Sequence, residues 1–365
     1  MIKALRASAD TFGDLAEKRE TSCLSGAGGI PSDTRLRNWL GGSVVAARWT
    51  VSLLFHSIVV FATVFFFATL ITFALQGLSG LSPAHLQLSE SATPEAVAAI
   101  EHEWGLDLPL WQQYANWFGG ILRGDLGRSW YNGADISLLL SSRAATSLSV
   151  AGLALLIGIV GGALLGVTAA KFQTSWIDRL ITTFTTFISV LPPFVVGIAL
   201  VAVFAVGLNW FPSAGYVSID RGGVGLWLQH IWLPAIALSI DTVADIARQL
   251  RVGLIQSSRE NYVTGAIVRG LSRERIFWVH VLRNGSGPAL AMLGMKFPNL
   301  IGGAVVTEAV FGLAGYGKFA ADSASRGDVP AVQGVLVVAI VLVVVFNLLV
   351  NLLLVRISPA SARGI

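Results

Sequence analysis

Charge and cysteine are scarce in this sequence. Only 13% of its 365 residues are Asp, Glu, Lys or Arg, where a soluble domain carries roughly a quarter, and that excludes an ordinary soluble globular enzyme. Hydrophobic residues make up 54% and the mean hydropathy is +0.70. Disorder is excluded by the same numbers, because chains stay unfolded when they are poor in apolar residues and rich in net charge. The single cysteine, Cys23, leaves neither a disulfide framework nor a cysteine-based metal site, since each needs at least two sulfurs. No apolar segment lies close behind the initiator, so the N-terminal stretch is not expected to be a cleaved signal peptide. Internal repeats, low-complexity tracts and a Gly-x-Ser-x-Gly nucleophile elbow are also absent from the sequence.

What the sequence has is long apolar runs. A bilayer core is about 30 Å thick and needs roughly 17–25 apolar residues of helix. Six runs qualify: Val51–Leu75, Ser147–Ala170, Leu180–Val206, Ile231–Leu250, Pro288–Phe311 and Ala331–Val355. Trp232 sits where an interfacial aromatic belongs, and the fifth run is expected to be interrupted by Pro298 and the pair Gly302 and Gly303. The fold class is therefore all-α and membrane-embedded, with six spans.

Cytoplasmic flanks retain Lys and Arg. The first 50 residues carry seven (Lys3, Arg6, Lys18, Arg19, Arg35, Arg37, Arg48) and the fourth connection carries seven (Arg248, Arg251, Arg259, Arg269, Arg273, Arg275, Arg283). Residues 76–142 carry only Arg123 and Arg128 against seven acids. Both termini and the Arg-rich loop are thus expected inside, and the net charge of +4 needs no nucleic acid. The expected organisation is a cytoplasmic tail over 1–45, a transmembrane domain over 46–355 and a cytoplasmic tail over 356–365. Within the domain, 76–142 form a small helical cap outside and 251–287 a cytoplasmic loop.

In the cap, Thr93-Pro94-Glu95 reads as a helix start, and Leu110, Trp111, Tyr114, Trp117 and Phe118 suit an amphipathic helix along the membrane surface. In the loop, 260–272 read as a short helix stopped by Gly270, with Ser272 capping the next one and Glu274 in its first turn. Such a helix, presenting Ala266 and small neighbours, suits docking into another protein's groove; a plain solvated connector is the alternative.

Other motifs are discounted. Gly312–Phe319 nearly spells a phosphate loop, but Phe319 cannot bind magnesium and no strand precedes it. Asn284-Gly285-Ser286 forms a glycosylation sequon on the wrong side of the membrane. His85 and His102 lack the spacing of metal ligands. Intramembrane charges are costly and so are candidates for function. Asp241 and Asp245 fall one turn apart in the fourth run, and Lys296 lies inside the fifth. The ammonium is expected within about 6 Å of one carboxylate, as an interhelical pair, while an acid lining a pathway and meeting a peptide's amino group is the other reading. Pro192 and Pro193 suit either a gate or ordinary packing, and Asn347 and Asn351 are expected to hydrogen-bond another helix.

The stretch Tyr262–Pro288, with Gly270-Leu271-Ser272, His280, Leu282-Arg283-Asn284 and Pro288, resembles the cytoplasmic loop of ABC importer permeases, closest to the B-type subunit of dipeptide and oligopeptide permeases. The resemblance extends to Gly105-Leu106-Asp107, Pro109, Trp111–Tyr114, Gly124–Gly127, Leu233-Pro234-Ala235, Thr307-Glu308, Phe311, Gly315-Tyr316-Gly317 and Val332-Gln333-Gly334, and covers about Val51–Val355. It implies a type I importer permease in a bacterial inner membrane: half of a pathway for dipeptides or oligopeptides, with nickel or glutathione as the alternative solute. A stand-alone secondary transporter is the rival from another class. The implied partners are a homologous C-type permease, two cytosolic ATPases that carry the ATP and magnesium, and an extracytoplasmic substrate-binding protein; this chain itself is expected to hold no cofactor or metal and to catalyse nothing. Carried over by position, the ATPase-coupling residues are Tyr262, Thr264, Gly265, Ala266, Arg269, Gly270, Leu271 and Ser272. At Gly265, Ile267 and Val268 the family pattern more often has Thr, Arg and Ala.

Overall fold

The computed structural model describes residues 57–75, 77, 82–88 and 93–357. The N-terminal tail, the first residues of the first span and most of the C-terminal tail lie outside the described residues. Within them the chain is helical, with one isolated bridge between Arg128 and Asp135. The first span is α1, Ser57–Leu75. The cap continues the chain as α2 (Pro83–Leu88), α3 (Pro94–Glu103) and α4 (Leu110–Leu122). Then come α5 (Ile136–Lys171), α6 (Trp176–Val190) and α7 (Pro193–Gly207), whose last turns are π-helical. α8 spans Ile219–Ser258 and α9 Asn261–Val268, and α10 covers 273–285. α11 (Gly287–Val310), α12 (Tyr316–Ser325) and α13 (Val329–Ile357) complete the chain.

Local chemistry sets these boundaries. Thr93 caps α3 by accepting from Ala96 N at 3.3 Å, with Pro94 at the first helical position. Asp135 accepts from Ser137 N at 2.8 Å and Leu138 N at 3.3 Å, which starts α5 eleven residues before the expected Ser147. At 36 residues α5 is about 54 Å long, more than a bilayer core needs, and the excess lies at its N-terminal end, before the apolar run.

The third apolar run is not one straight helix. It breaks into α6 and α7, bent by 97°, because Leu191 and Pro192 are held extended at ψ 122° and 136°. Proline lacks an N–H and drives the residue before it out of the helical region. The fifth run departs from expectation in the opposite sense. α11 runs without interruption through Pro298, Gly302 and Gly303. A single proline removes one backbone bond, and neighbouring helices make that tolerable in a membrane. α8 also absorbs Pro234 and turns sharply at Gly223, where φ is 69°.

The core is assembled by backbone proximity. Down one stripe of α5 lie Gly158, Gly162 and Gly166. A Cβ there would stand 2.5 Å from Thr242, 2.7 Å from Ile246 and 2.7 Å from the Ala247 carbonyl of α8. Small residues four apart let two helices approach to backbone contact, which supplies packing attraction where lipid offers no hydrophobic drive between helices. Above this seam a cluster of Val150, Ala154, Ile231, Leu233, Leu300 and Phe311 is buried; below it lie Ile246, Leu250, Leu254, Leu293 and Val350. Phe297 stacks on Phe346 at 4.0 Å, joining α11 to α13. Asn347 Oδ1 would lie 2.6 Å from a Cβ at Gly294, but among the described residues neither Asn347 nor Asn351 makes the interhelical hydrogen bond expected of it. The outward faces of α1, α5 and α13 carry exposed Ile, Leu, Val and Phe, as lipid contact requires.

Replacing Gly162 by Val should destabilise the protein by about 1–3 kcal/mol through overpacking against Ile246. The unfolding midpoint of purified protein in detergent measures it. An unchanged midpoint would show that the α5–α8 seam has slack.

Candidate functional site

Two sets of residues singled out by sequence lie on α8 and on the helices C-terminal to it. The first is the Arg-rich loop. α8 ends at Ser258, and the chain reverses into α9, whose Tyr262 hydroxyl bonds Ser257 Oγ; that oxygen also donates to the Val281 carbonyl at 3.3 Å. Gly270 has a φ of +75°, which favours glycine, and Leu271 N reaches back to the Ala266 carbonyl at 3.2 Å, closing the helix. Ser272 Oγ then accepts from Arg275 N at 3.4 Å.

This arrangement corrects which residues the loop presents. Ala266 is 1% exposed and packs inward, with Val263 and Leu271 beside it and Tyr262 half-buried. Thr264, Gly265, Arg269, Gly270 and Ser272 face out. So do Ile267 at 58% and Val268 at 82% exposure, which are the apolar residues on offer. The residues carried over by resemblance did not include these two; helical spacing from a buried Ala266 would have placed them outside.

The loop is fixed firmly to the membrane core. A Cβ on Gly253 of α8 would collide with the Gly285 carbonyl, and one on Gly285 would sit 2.8 Å from the Gly253 carbonyl, so α8 and α10 touch backbone to backbone. Arg251 grips Asp178 with two bonds of 2.6 and 2.8 Å, a fork that fixes orientation as well as distance. Asp178 also accepts from Thr174 N at 2.9 Å, tying the turn between α5 and α6 to α8. Lys171 pairs with Glu274 at 3.0 Å, and Trp278 Nε1 donates to the same carboxylate at 3.0 Å. The Lys171 hydrogen bond, then Trp278, holds the Glu274 carboxyl below the usual range. That pair is exposed and contributes little beside the glycine contact and the Asp178 fork.

The second set is the intramembrane cluster. Lys296 Nζ lies 2.5 Å from Asp241 Oδ2 and contacts Asp245 as well, while Arg248 approaches Asp245 at 3.3 Å and Ser189 at 3.4 Å. The structure thus brings all three sequence-predicted residues together and adds Arg248. The Lys296 side chain is 8% exposed and that of Asp241 is 41%.

Three further acids serve packing. Glu308, 1% exposed, accepts from Ser147 Oγ at 2.6 Å and Lys318 N at 2.8 Å, and Ser147 Oγ accepts from Tyr316 N at 2.7 Å. Two backbone N–H groups of the 312–319 loop, those of Tyr316 and Lys318, are thereby taken up by protein oxygens. Asp328 accepts from Ser129 Oγ at 2.5 Å, Trp130 N at 3.1 Å and Ala331 N at 3.3 Å, joining the cap to α13. Asp178 is the third, in the fork already described. His102 bonds Asp107 at 2.7 Å, and among the described residues no three metal-type ligands gather.

Residues 162–363 match the family described as binding-protein-dependent transport system inner membrane component, and residues 50–150 match the N-terminal region of the same class of protein. A probable peptide ABC transporter permease protein of Sinorhizobium fredii is 36% identical over 287 residues, covering 79% of this chain and 91% of that one. A di/tripeptide transport system permease protein of Pseudomonas aeruginosa is 33% identical over 311 residues, covering 79% of this chain and 92% of that one. Among solved structures, a chain of the MetNI methionine ABC transporter in inward-facing conformations superposes with a TM-score of 0.50 at 14% identity, over 61% of this chain and 97% of that one. At that identity the likeness speaks for the fold.

Lys296→Met should cost about 2 kcal/mol, less than the roughly 3–5 kcal/mol of a fully buried pair because Asp241 is partly exposed. Adding Asp241→Asn and Asp245→Asn to Lys296→Met should recover most of the loss. Thermal unfolding of the two variants checks this, and a triple variant no more stable than the single one would contradict the pairing.

Proposed function

This chain belongs to the family of binding-protein-dependent transport system inner membrane components, and from that premise we propose that it forms half of the pathway of an ATP-driven importer of dipeptides or oligopeptides. It is a multi-pass membrane permease and not itself an enzyme. The peptide assignment rests on its relatives, two of which are named as peptide permeases and match along most of their length.

The observation that carries the mechanism is the outward pair Ile267 and Val268 on a short helix whose opposite face is anchored by buried Ala266. Exposed apolar residues on a rigid mount are suited to a groove in a second protein. In our reading that protein is one of two cytosolic ATPases, which bind the ATP and magnesium. A homologous C-type permease supplies the other half of the pathway, and a solute-binding protein delivers peptide from outside. The fourteen cations of the N-terminal tail and the Arg-rich loop support an orientation with both termini and α9 in the cytoplasm of a bacterial cell, and the 76–142 cap outside its inner membrane.

Alternating access then arises from the joints. Shifting a two-state equilibrium from 1:99 to 99:1 takes about 5.5 kcal/mol of differential binding. A mobile loop would dissipate that work in its own motion. Here closure of the ATPases pushes α9, and the backbone contact at Gly253 and Gly285 passes the displacement to α8, which carries α5 with it. Asp241 supports the same picture: a partly exposed carboxylate within a span is too costly against lipid, so its face of α8 meets water or protein.

Val268→Asp is expected to leave the fold intact, because the residue is exposed, and to abolish both recovery of the ATPases with the tagged chain and ATP-dependent peptide uptake into proteoliposomes. Wild-type recovery and uptake in this variant would contradict the coupling role of α9.

A further inference from the structure

The four intramembrane charges divide by exposure into an inner and an outer pair. Lys296 and Asp245 are closed in on each other, whereas the side chains of Asp241, 41% exposed, and Arg248, 48% exposed, stand half-open. Asp241 accepts from Lys296 Nζ at 2.5 Å, and Arg248 makes single contacts with Asp245 at 3.3 Å and Ser189 Oγ at 3.4 Å. Because Lys296 also touches Asp245, the inner pair stays satisfied when Asp241 turns to another cation.

Asp241 and Arg248 stand seven residues apart, so they share one face of α8, about two turns and 10 Å apart along its axis. That face is distinct from the stripe of Thr242, Ile246 and Ala247 that packs on α5. Its neighbours are polar too. Asn299, one turn along α11 from Lys296, is exposed. From α6 come Thr182, Thr186 and Ser189, spaced four and three residues apart, a row of hydroxyls whose last member meets Arg248. Half-open charges are too costly against hydrocarbon, and here polar groups from three helices gather beside them, so the medium on this face is water. A wet, charged face among the spans of a permease is the wall of a passage.

We infer that this face is a binding step for a short peptide with free termini, in which Asp241 receives the α-ammonium and Arg248 the α-carboxylate. The inference rests on the reading of the chain as a peptide importer permease. An extended chain spans about 3.3–3.6 Å per residue, so termini about 10 Å apart belong to a tripeptide. In the empty passage Lys296 is an internal stand-in for the solute, its ammonium lying on Asp241 as the peptide's would. Arrival of a peptide exchanges one ammonium for another at Asp241 and one carboxylate for another at Arg248, while Lys296 remains on Asp245. Each charge keeps a partner of opposite sign throughout, and none is stranded within the membrane. An exchange of equivalent partners holds the solute weakly, as a step that must also release it requires.

The test uses the assembled transporter, both permeases with their ATPases, in nanodiscs without nucleotide. The solute-binding protein is left out, so that its own selection does not enter. Binding of trialanine, N-acetyl-trialanine and the C-terminal amide of trialanine is titrated by saturation-transfer NMR. Wild type should bind trialanine about ten-fold more tightly than either blocked form. In D241N, which leaves Lys296 on Asp245, trialanine should weaken to the level of N-acetyl-trialanine, whereas D241E keeps the preference. R248Q should level trialanine with its amide. A preference for the free amino terminus that survives in D241N overturns the site, as does a wild-type transporter that binds all three peptides equally or none of them. D241N that no longer recovers its partner subunits gives the carboxylate to packing or to the subunit contact, and overturns the site as well. Any of these results beside a wild-type transporter that imports peptide removes the site alone; a wild-type chain that brings no ATPase with it removes the function and the site together.

Discussion

Backbone contact between helices through glycine is the constraint on which this protein is organised. Gly158, Gly162 and Gly166 admit α8 to the surface of α5, and Gly253 and Gly285 do the same between α8 and α10. In a bilayer no hydrophobic force drives apolar helices together, because lipid is as apolar as the side chains, so close packing must supply the attraction. Glycine gives up side-chain contact and some backbone entropy in return for that approach. A consequence is that α8 is held on both sides along most of its length. It behaves as the axle of the structure, with membrane core at one end and the Arg-rich loop at the other.

Charges fall into groups by what they touch. Glu308 and Asp328 are buried among neutral donors and act as caps for helices elsewhere in the chain, which is how a fold closes loops that would otherwise leave N–H groups unpaired. Asp178 is satisfied by a two-pronged arginine and locks a turn. Asp241 and Asp245 share Lys296 between two helices, with one carboxylate partly open. In the first two groups removal of one partner strands a buried polar atom. In the last, exposure of Asp241 softens that penalty and leaves a charge available to whatever occupies the face of α8. Arg143, Lys318 and Arg326 form a fourth group, in one wall with Asp322, whose carboxylate acts electrostatically on Arg143.

Much of this was legible from residues alone. Apolar run lengths located the spans, because the bilayer fixes how many residues a crossing takes. Thr93-Pro94, Gly270 and Ser272 marked helix ends through local geometry that needs no tertiary context. The proximity of Lys296 to Asp241 and Asp245 was readable because buried charges require partners. What could not be read depended on neighbours in space. The bend between α6 and α7 and the continuity of α11 through Pro298 show that proline alone does not decide between a break and a pass. Two consecutive prolines with extended backbone broke one helix; a lone proline flanked by α8 and α13 did not break the other. Ala266 was expected outside and lies inside, since one short helix has two plausible faces until its packing is known. The Gly253–Gly285 contact joins residues 32 positions apart with no periodic signal to announce it.

If the glycine contacts transmit force, α8 and α9 move as one body when the transporter turns over. Spin labels on two exposed residues away from the docking pair, Gln229 of α8 and Asn261 of α9, test this most directly, after Cys23, the chain's single cysteine, is replaced by Ser. The distance between the labels is measured by electron–electron double resonance in the assembled complex, without nucleotide and trapped with ATP. The same distance distribution is predicted in both states. A shift or a broadening on ATP trapping would contradict rigid coupling, by showing that the loop flexes instead of transmitting the push.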